Sequence, residues 1–229
     1  MSEVEFDRVA ADYHAQHNAS IRLSGEDSGY FAQYKAVDTR RIAEAAACRP
    51  RDILDFGSGI GNAVQPLSLN FPEARLTCLD VSSGSLDLSR RRWSGEATYR
   101  HYDGERVPDD IGTFDLIFTA CVFHHIPETQ HVELLGQLKR LLRPGGVFAL
   151  FEHNPWNPLT RHAVNNCPFD ENAVLISAPR MRKRLEAAGF TDCRIRYRIF
   201  FPAALAWLRP LERFMTGIPL GAQYSLEAR

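Results

Sequence analysis

The residues best suited to chemistry are three acids and a run of glycines, each at the end of an apolar segment. In ILDFGSGIGN, residues 53 to 62, Asp55 closes an apolar run and Gly57, Gly59 and Gly61 follow at alternate positions. Glycines so spaced suit neither strand nor helix. They mark a place where the backbone turns tightly or a ligand approaches it closely. Asp80 ends a second apolar run, LTCLD, and Asp103 follows a third in HYDGERVP. A dinucleotide fingerprint, GxGxxG, would set a pyrophosphate against a helix N-terminus. Here the spacing is GxGxG followed by Asn62, and a carboxylate just ahead of the loop would repel phosphate. Asp55 suits an ammonium, directly or through water. The paired oxygens of Asp80 suit two ribose hydroxyls, and Asp103 suits an exocyclic adenine amine. The ligand so described is a nucleoside carrying positive charge. Each acid also has a plain structural alternative: Asp80 as an N-cap ahead of Ser82 to Leu86, Asp103 as a turn residue before Gly104.

The elements that must position these residues alternate along the chain. From residue 51, short apolar runs (DILDF, ARLTCLD, ATYRHY, TFDLIFTA, VFALFE) are separated by helical patterns after Gly61, over about Ser83 to Arg92, and over about Glu128 to Leu142. Buried strands with helix-length crossovers predict a parallel sheet covered by helices on both faces, an α/β fold. The turn RPGG precedes the fifth strand. Helices are expected over 5 to 19, over 29 to 47, and over about Pro179 to Ala188, the last stopped by Gly189. TDCRIRYRIFF and AQYSLEAR read as two final strands separated by an apolar stretch.

With 229 residues, the chain suits a single domain of ordinary size. A net charge of -1 gives no reason to expect nucleic acid as a partner. Five cysteines without CxxC spacing argue against a disulfide framework. The acidic, mixed N-terminus and the lack of an 18-residue apolar span lead us to expect a cytoplasmic protein.

Taken in order, these motifs resemble the class I S-adenosylmethionine-dependent methyltransferases over roughly residues 50 to 152. ILDFGSGIGN is like the family's first motif, LTCLDVS its second and HYDGERVP its adenine-side loop; FDLIFTACVFHHIPE is like its fourth motif, and LLRPGGVFALFE like the helix, turn and fifth strand. The resemblance implies a Rossmann-like seven-stranded sheet, mostly parallel with an antiparallel last strand. S-adenosyl-L-methionine is the implied cofactor, held by Asp55, Gly57, Gly59, Gly61, Asp80, Val81, Asp103, Gly104 and Thr119. It also implies a helical lid over residues 1–48, a cofactor-binding core over 49–152 and an acceptor-side segment over 153–229. Tyr13, His14, His17, Tyr34 and Lys35 fall in the lid, and Lys35 reads more simply as a solvated lysine than as a partner for the cofactor's carboxylate. SRRRW, residues 89 to 93, is read as the polar end of a helix, without a function.

The resemblance sets TACVFHHI beside the transferable methyl, so His124 and His125 become candidate bases, with simple packing as the alternative. His153, after the fifth strand and beside Glu152, is another, or else a loop histidine. His124 and His153 are the two catalytic expectations; no metal is expected. Methyl transfer is an in-line displacement governed by alignment, and a base is needed only when the acceptor keeps its proton at neutral pH.

Residues 201–221 carry Trp207, Leu208, Leu211, Phe214 and Met215 with Arg209 and Arg213 interleaved. This apolar insert suits a hydrophobic or lipid-linked small-molecule acceptor, with peripheral membrane contact, or else a cover for the sheet edge or a homodimer interface. FDRVAADYHAQHN is loosely similar to the entry segment of quinone-biosynthesis C-methyltransferases, although GSGIGN departs from their usual loop. Two other readings remain: a noncatalytic nucleoside-binding subunit of the same fold, and an NAD-dependent oxidoreductase, which the glycine spacing disfavours.

Overall fold

Alternating side chains on each strand divide the core into two layers. In the computed structural model, which describes residues 22–167, 170 and 172–229, the helices are α1 (Ser28–Ala45), α2 (Val64–Asn70), α3 (Ser83–Arg92), α4 (His131–Leu141), α5 (Pro158–Asn165) and α6 (Ala178–Ala187). The strands are β1 (Asp52–Phe56), β2 (Arg75–Asp80), β3 (Thr98–His101), β4 (Phe114–Ala120), β5 (Leu142–His153), β6 (Arg194–Arg198) and β7 (Gln223–Ala228). The helix expected over residues 5 to 19, with Tyr13, His14 and His17, lies outside the described residues.

The seven strands form one sheet in the order β3-β2-β1-β4-β5-β7-β6. Neighbours from β3 through β5 pair in parallel, and β7 runs antiparallel to both β5 and β6. The expected fold class is therefore the observed one. Ile53, Leu116, Phe118 and Phe151 pack with Ala36, Ile42, Leu67 and Leu86 of α1, α2 and α3. Leu54, Ile117, Phe148 and Leu150 pack with Leu134 and Leu138 of α4 and Met181 and Leu185 of α6 on the other face. Because adjacent strand residues face opposite ways, the continuous apolar runs supply both layers.

Two local features differ from the sequence reading. The RPGG turn is absorbed into β5 as an irregularity: pairing steps from Phe114↔Leu142 to Leu116↔Val147, and Gly145 takes a positive φ of 80°. The apolar insert is a 3-10 segment, Ala203–Phe214, in which Trp207 and Phe214 are 75% and 73% exposed. Among the described residues no helix is long and apolar enough to cross a membrane.

Candidate active site

The parallel strands all end on one side, where a cavity of about 580 Å³ opens beyond β1, β2 and β4. Its first half is built from backbone. After β1 the chain turns back so that the Gly57 and Ser58 amides donate to the Leu79 carbonyl at 2.8 and 3.2 Å. All three glycines have positive φ, in two kinds of surroundings. A Cβ on Gly57 would lie 2.3 Å from Val122 Cγ2, and one on Gly61 would lie 2.0 Å from Ser89 Oγ of α3. At Gly59 a Cβ would meet nothing within 4 Å. Thus Gly57 and Gly61 serve close packing, while Gly59 faces the cavity.

Asp80 holds this loop in place. Its Oδ2 accepts from the Gly59 amide at 2.7 Å and its Oδ1 from the Ser82 amide at 2.9 Å. The N-cap of α3 is Ser82 rather than Asp80, since the Ser82 hydroxyl accepts from Ser85 N. Asp55 is only 2% exposed, and its Oδ2 has no hydrogen-bond partner among the described residues. Burial, with the Asp80 charge beside it, pushes the Asp55 carboxyl up to about 8. Asp103 is exposed and has the turn role anticipated for it. Its Oδ1 accepts from the Glu105 and Arg106 amides at 2.9 and 2.8 Å, which holds its carboxyl below the usual range.

Val81, Asp103 and Gly104 line the cavity together with Asp55, Gly57, Gly59 and Asp80, whereas Gly61 and Thr119 do not. Thr119 lies on the face of β4 opposite Phe118, with its hydroxyl buried. Two supports for this half were missed in sequence. Gln137 of α4 accepts from Val107 N and donates to Glu105 O, bracing the loop around Asp103. Arg92, in the run read as having no function, donates to the Ile60 carbonyl at 2.8 Å within the glycine loop.

The second half is made of side chains from distant segments. At the end of β5, Glu152 Oε1 accepts from the Val122 and Phe123 amides at 3.0 and 2.8 Å, and Oε2 bonds His124 Nδ1 at 2.6 Å. Burial would raise its carboxyl, but His124 and these bonds hold it down to about 2. The HHI segment is a short 3-10 turn anchored by a buried carboxylate. Asp170 Oδ1 stands 3.4 Å from His124 Nε2 and 3.5 Å from His125 Nε2. Burial opposes charge on His124, yet the two flanking carboxylates raise its pKa well above the ordinary value.

Cys121 follows β4 with a φ of 59°, a left-handed conformation that costs a non-glycine residue about 1–2 kcal/mol. Lys35 Nζ lies 3.3 Å from its sulfur. Burial raises the thiol, but His153 and Lys35 pull it down to about 7. Desolvation would lower half-buried His153, but Cys121 raises it in turn. Lys35 is therefore not the solvated lysine anticipated; it is 7% exposed and points into the cavity. Tyr34 donates to Gln223 Oε1, tying α1 to β7 across the same wall. Phe31, Leu159, Phe200 and Phe201 give the cavity an apolar side.

Known proteins share this fold and parts of this sequence. Residues 53–146 match the family model described as a methyltransferase domain. The chain is 30% identical over 164 residues to the trans-aconitate 2-methyltransferase of Methylobacterium nodulans, covering 68% of this chain and 62% of that protein. It is 30% identical over 163 residues to the demethylmenaquinone methyltransferase of Clavibacter sepedonicus, covering 70% of this chain and 61% of that one. The chain thus spans less than two thirds of the length of either relative. In fold it is similar to a SAM-dependent methyltransferase, possible histamine N-methyltransferase, from Thermotoga maritima, with a TM-score of 0.69, 16% identity, and coverage of 98% and 97%.

Proposed function

We propose that this chain, whose residues 53–146 match a methyltransferase-domain model, transfers a methyl group from S-adenosylmethionine to a small-molecule acceptor. The observation that carries the reading is the buried, unpartnered Asp55 oxygen beside the open Gly59. A buried carboxylate without a partner is costly, and an ammonium relieves that cost. The residues present fit the cofactor. Asp55 would hold its ammonium, the loop around Gly59 would give room to its amino acid portion, Asp80 retains lone pairs that would accept from ribose hydroxyls, and Asp103 would serve the adenine side.

When bound, S-adenosylmethionine supplies an electrophilic methyl on a sulfonium. The chain aligns the acceptor with it: the aromatic wall of Phe31, Phe200 and Phe201 excludes water, and the polar floor of Lys35, His153 and Gln223 orients the reacting group. Where the acceptor keeps its proton, His153 at the mouth of β5, in contact with Cys121, accepts it. His124, the other catalytic expectation, has Nδ1 bonded to Glu152 and Nε2 facing Asp170, so a part in the reaction would run through Nε2 and its neighbour Asp170.

The mixed lining favours a small acceptor with an apolar body and a polar reacting group. The corresponding division assigns 1–48, described from residue 22, to a lid, 49–152 to the core and 153–229 to the acceptor side. The exposed insert around Trp207 is the surface for a membrane or a second copy. Calorimetry tests the cofactor reading: S-adenosylhomocysteine binds at a single site, and no binding at millimolar ligand overturns it. A labelled-methyl assay on cell extracts, with lipid and aqueous products separated, then identifies the acceptor class.

A further inference from the structure

The acceptor end contains an arrangement that methyl transfer alone does not require. With His124 Nδ1 directed at Glu152 Oε2, 2.6 Å away, the other ring nitrogen, Nε2, points at Asp170 Oδ1. His124 is 2% exposed, and Nε2 has no aligned hydrogen-bond partner among the described residues. Both ring nitrogens thus face carboxylate oxygens, a negative setting that a proton or a metal ion on Nε2 would balance. His125 Nε2 approaches the same oxygen, and one ligand atom from each of the three residues lies within 4.8 Å of the others.

We propose that His124, His125 and Asp170 bind a divalent transition-metal ion of zinc's class. Four-coordinate zinc holds imidazole nitrogen and carboxylate oxygen at about 2.0–2.2 Å, which sets neighbouring donors roughly 3.4 Å apart at a tetrahedron's edge. The two Nε2 to Oδ1 separations are 3.4 and 3.5 Å. Glu152 completes the pattern of a metal-bound histidine, in which a carboxylate fixes the ring through its other nitrogen. Two imidazoles and one carboxylate suit zinc and its neighbours rather than magnesium or calcium. All three residues line the cavity, so the remaining coordination position faces the acceptor space. An acceptor oxygen bound there would be oriented and more acidic. That role rests on the methyl-transfer reading; the metal site itself does not.

The test is titration of tag-free, chelator-stripped protein with Co2+, then Zn2+. Co2+ should bind one to one with the visible bands of a tetrahedral site, and Zn2+ should displace it. Asp170→Asn and His125→Ala should each weaken Zn2+ binding roughly tenfold or more, with an unchanged melting temperature and unchanged S-adenosylhomocysteine affinity. Absence of a one-to-one site in the parent protein overturns the proposal. So does Zn2+ affinity that survives both substitutions, which would place the ion elsewhere, for instance on cysteine thiols. If Zn2+ binds as described while S-adenosylhomocysteine does not, the metal site stands and the methyl-transfer reading fails.

Discussion

The two ends of the cavity are built on opposite plans. At the cofactor end, the acids and glycines lie between Asp55 and Gly104, and the Asp80 and Asp103 carboxylates accept from backbone amides nearby. At the acceptor end, Lys35, Cys121, Glu152 and Asp170 come from four separated segments and meet mainly through side chains. The cofactor end is thus a local device, in which loop conformation presents the ligand groups. The acceptor end depends on the whole sheet, because β4 and β5 must lie side by side before Glu152 can reach the turn after β4.

If the plans are separate, so are their failures. The largest expected effect is on chemistry: His153→Ala should slow methyl transfer about 10²-fold or more where the acceptor must lose a proton. Its S-adenosylhomocysteine affinity should hold within about twofold, and loss of affinity would merge the two ends. Next is Asp80→Ala, which removes charged acceptors from two amides and from the ribose. Calorimetry should find affinity lower by about 2–3 kcal/mol, roughly 30- to 150-fold, and an effect no larger than that of His153→Ala breaks the comparison.

The glycines sharpen the distinction within the loop. Gly61→Ala meets both a positive φ and Ser89, so denaturant unfolding should register a loss of about 2–4 kcal/mol. Gly59→Ala meets only the backbone term, about 1–2 kcal/mol. Similar losses at both positions would mean that Gly59 does not face open space.

The smallest effect is a proton count. Asp55, with Asp80 and Cys78 as its titratable neighbours on β2, has a carboxyl raised to about 8 and is mostly protonated at pH 7. An arriving ammonium lowers that pKa, so binding releases close to one proton at pH 7. Affinity should then rise with pH up to about 8 and level off above it. Calorimetry in buffers of different ionisation enthalpy reads this release; none at pH 7 would mean that the ammonium does not approach Asp55.

Much of the cofactor end was legible because its signals are short-range. A strand carrying Asp55, then alternate glycines, then Asp80 closing the second strand and Asp103 just past the third, point to the ligand type and to the order of elements. What escaped even here was support from afar: Gln137 lies about thirty residues from the loop that it braces, and Arg92 sits in a run that reads as an ordinary helix end. At the acceptor end, HHI and EHNP could be singled out, but not what they meet. Nothing local distinguishes Lys35 on an amphipathic helix from a solvated lysine, or marks Asp170 as facing two histidines.

The sequence by itself determined the sheet, its crossovers and the place of the glycine loop after the first strand, because hydrophobic periodicity and glycine conformation act within a few residues. Only the tertiary structure decided which glycine faces the cavity and which charges meet at its far end. Those outcomes depend on burial and on contacts between strands that meet only after the sheet has formed, and burial is what turns ordinary acids, thiols and imidazoles into a site.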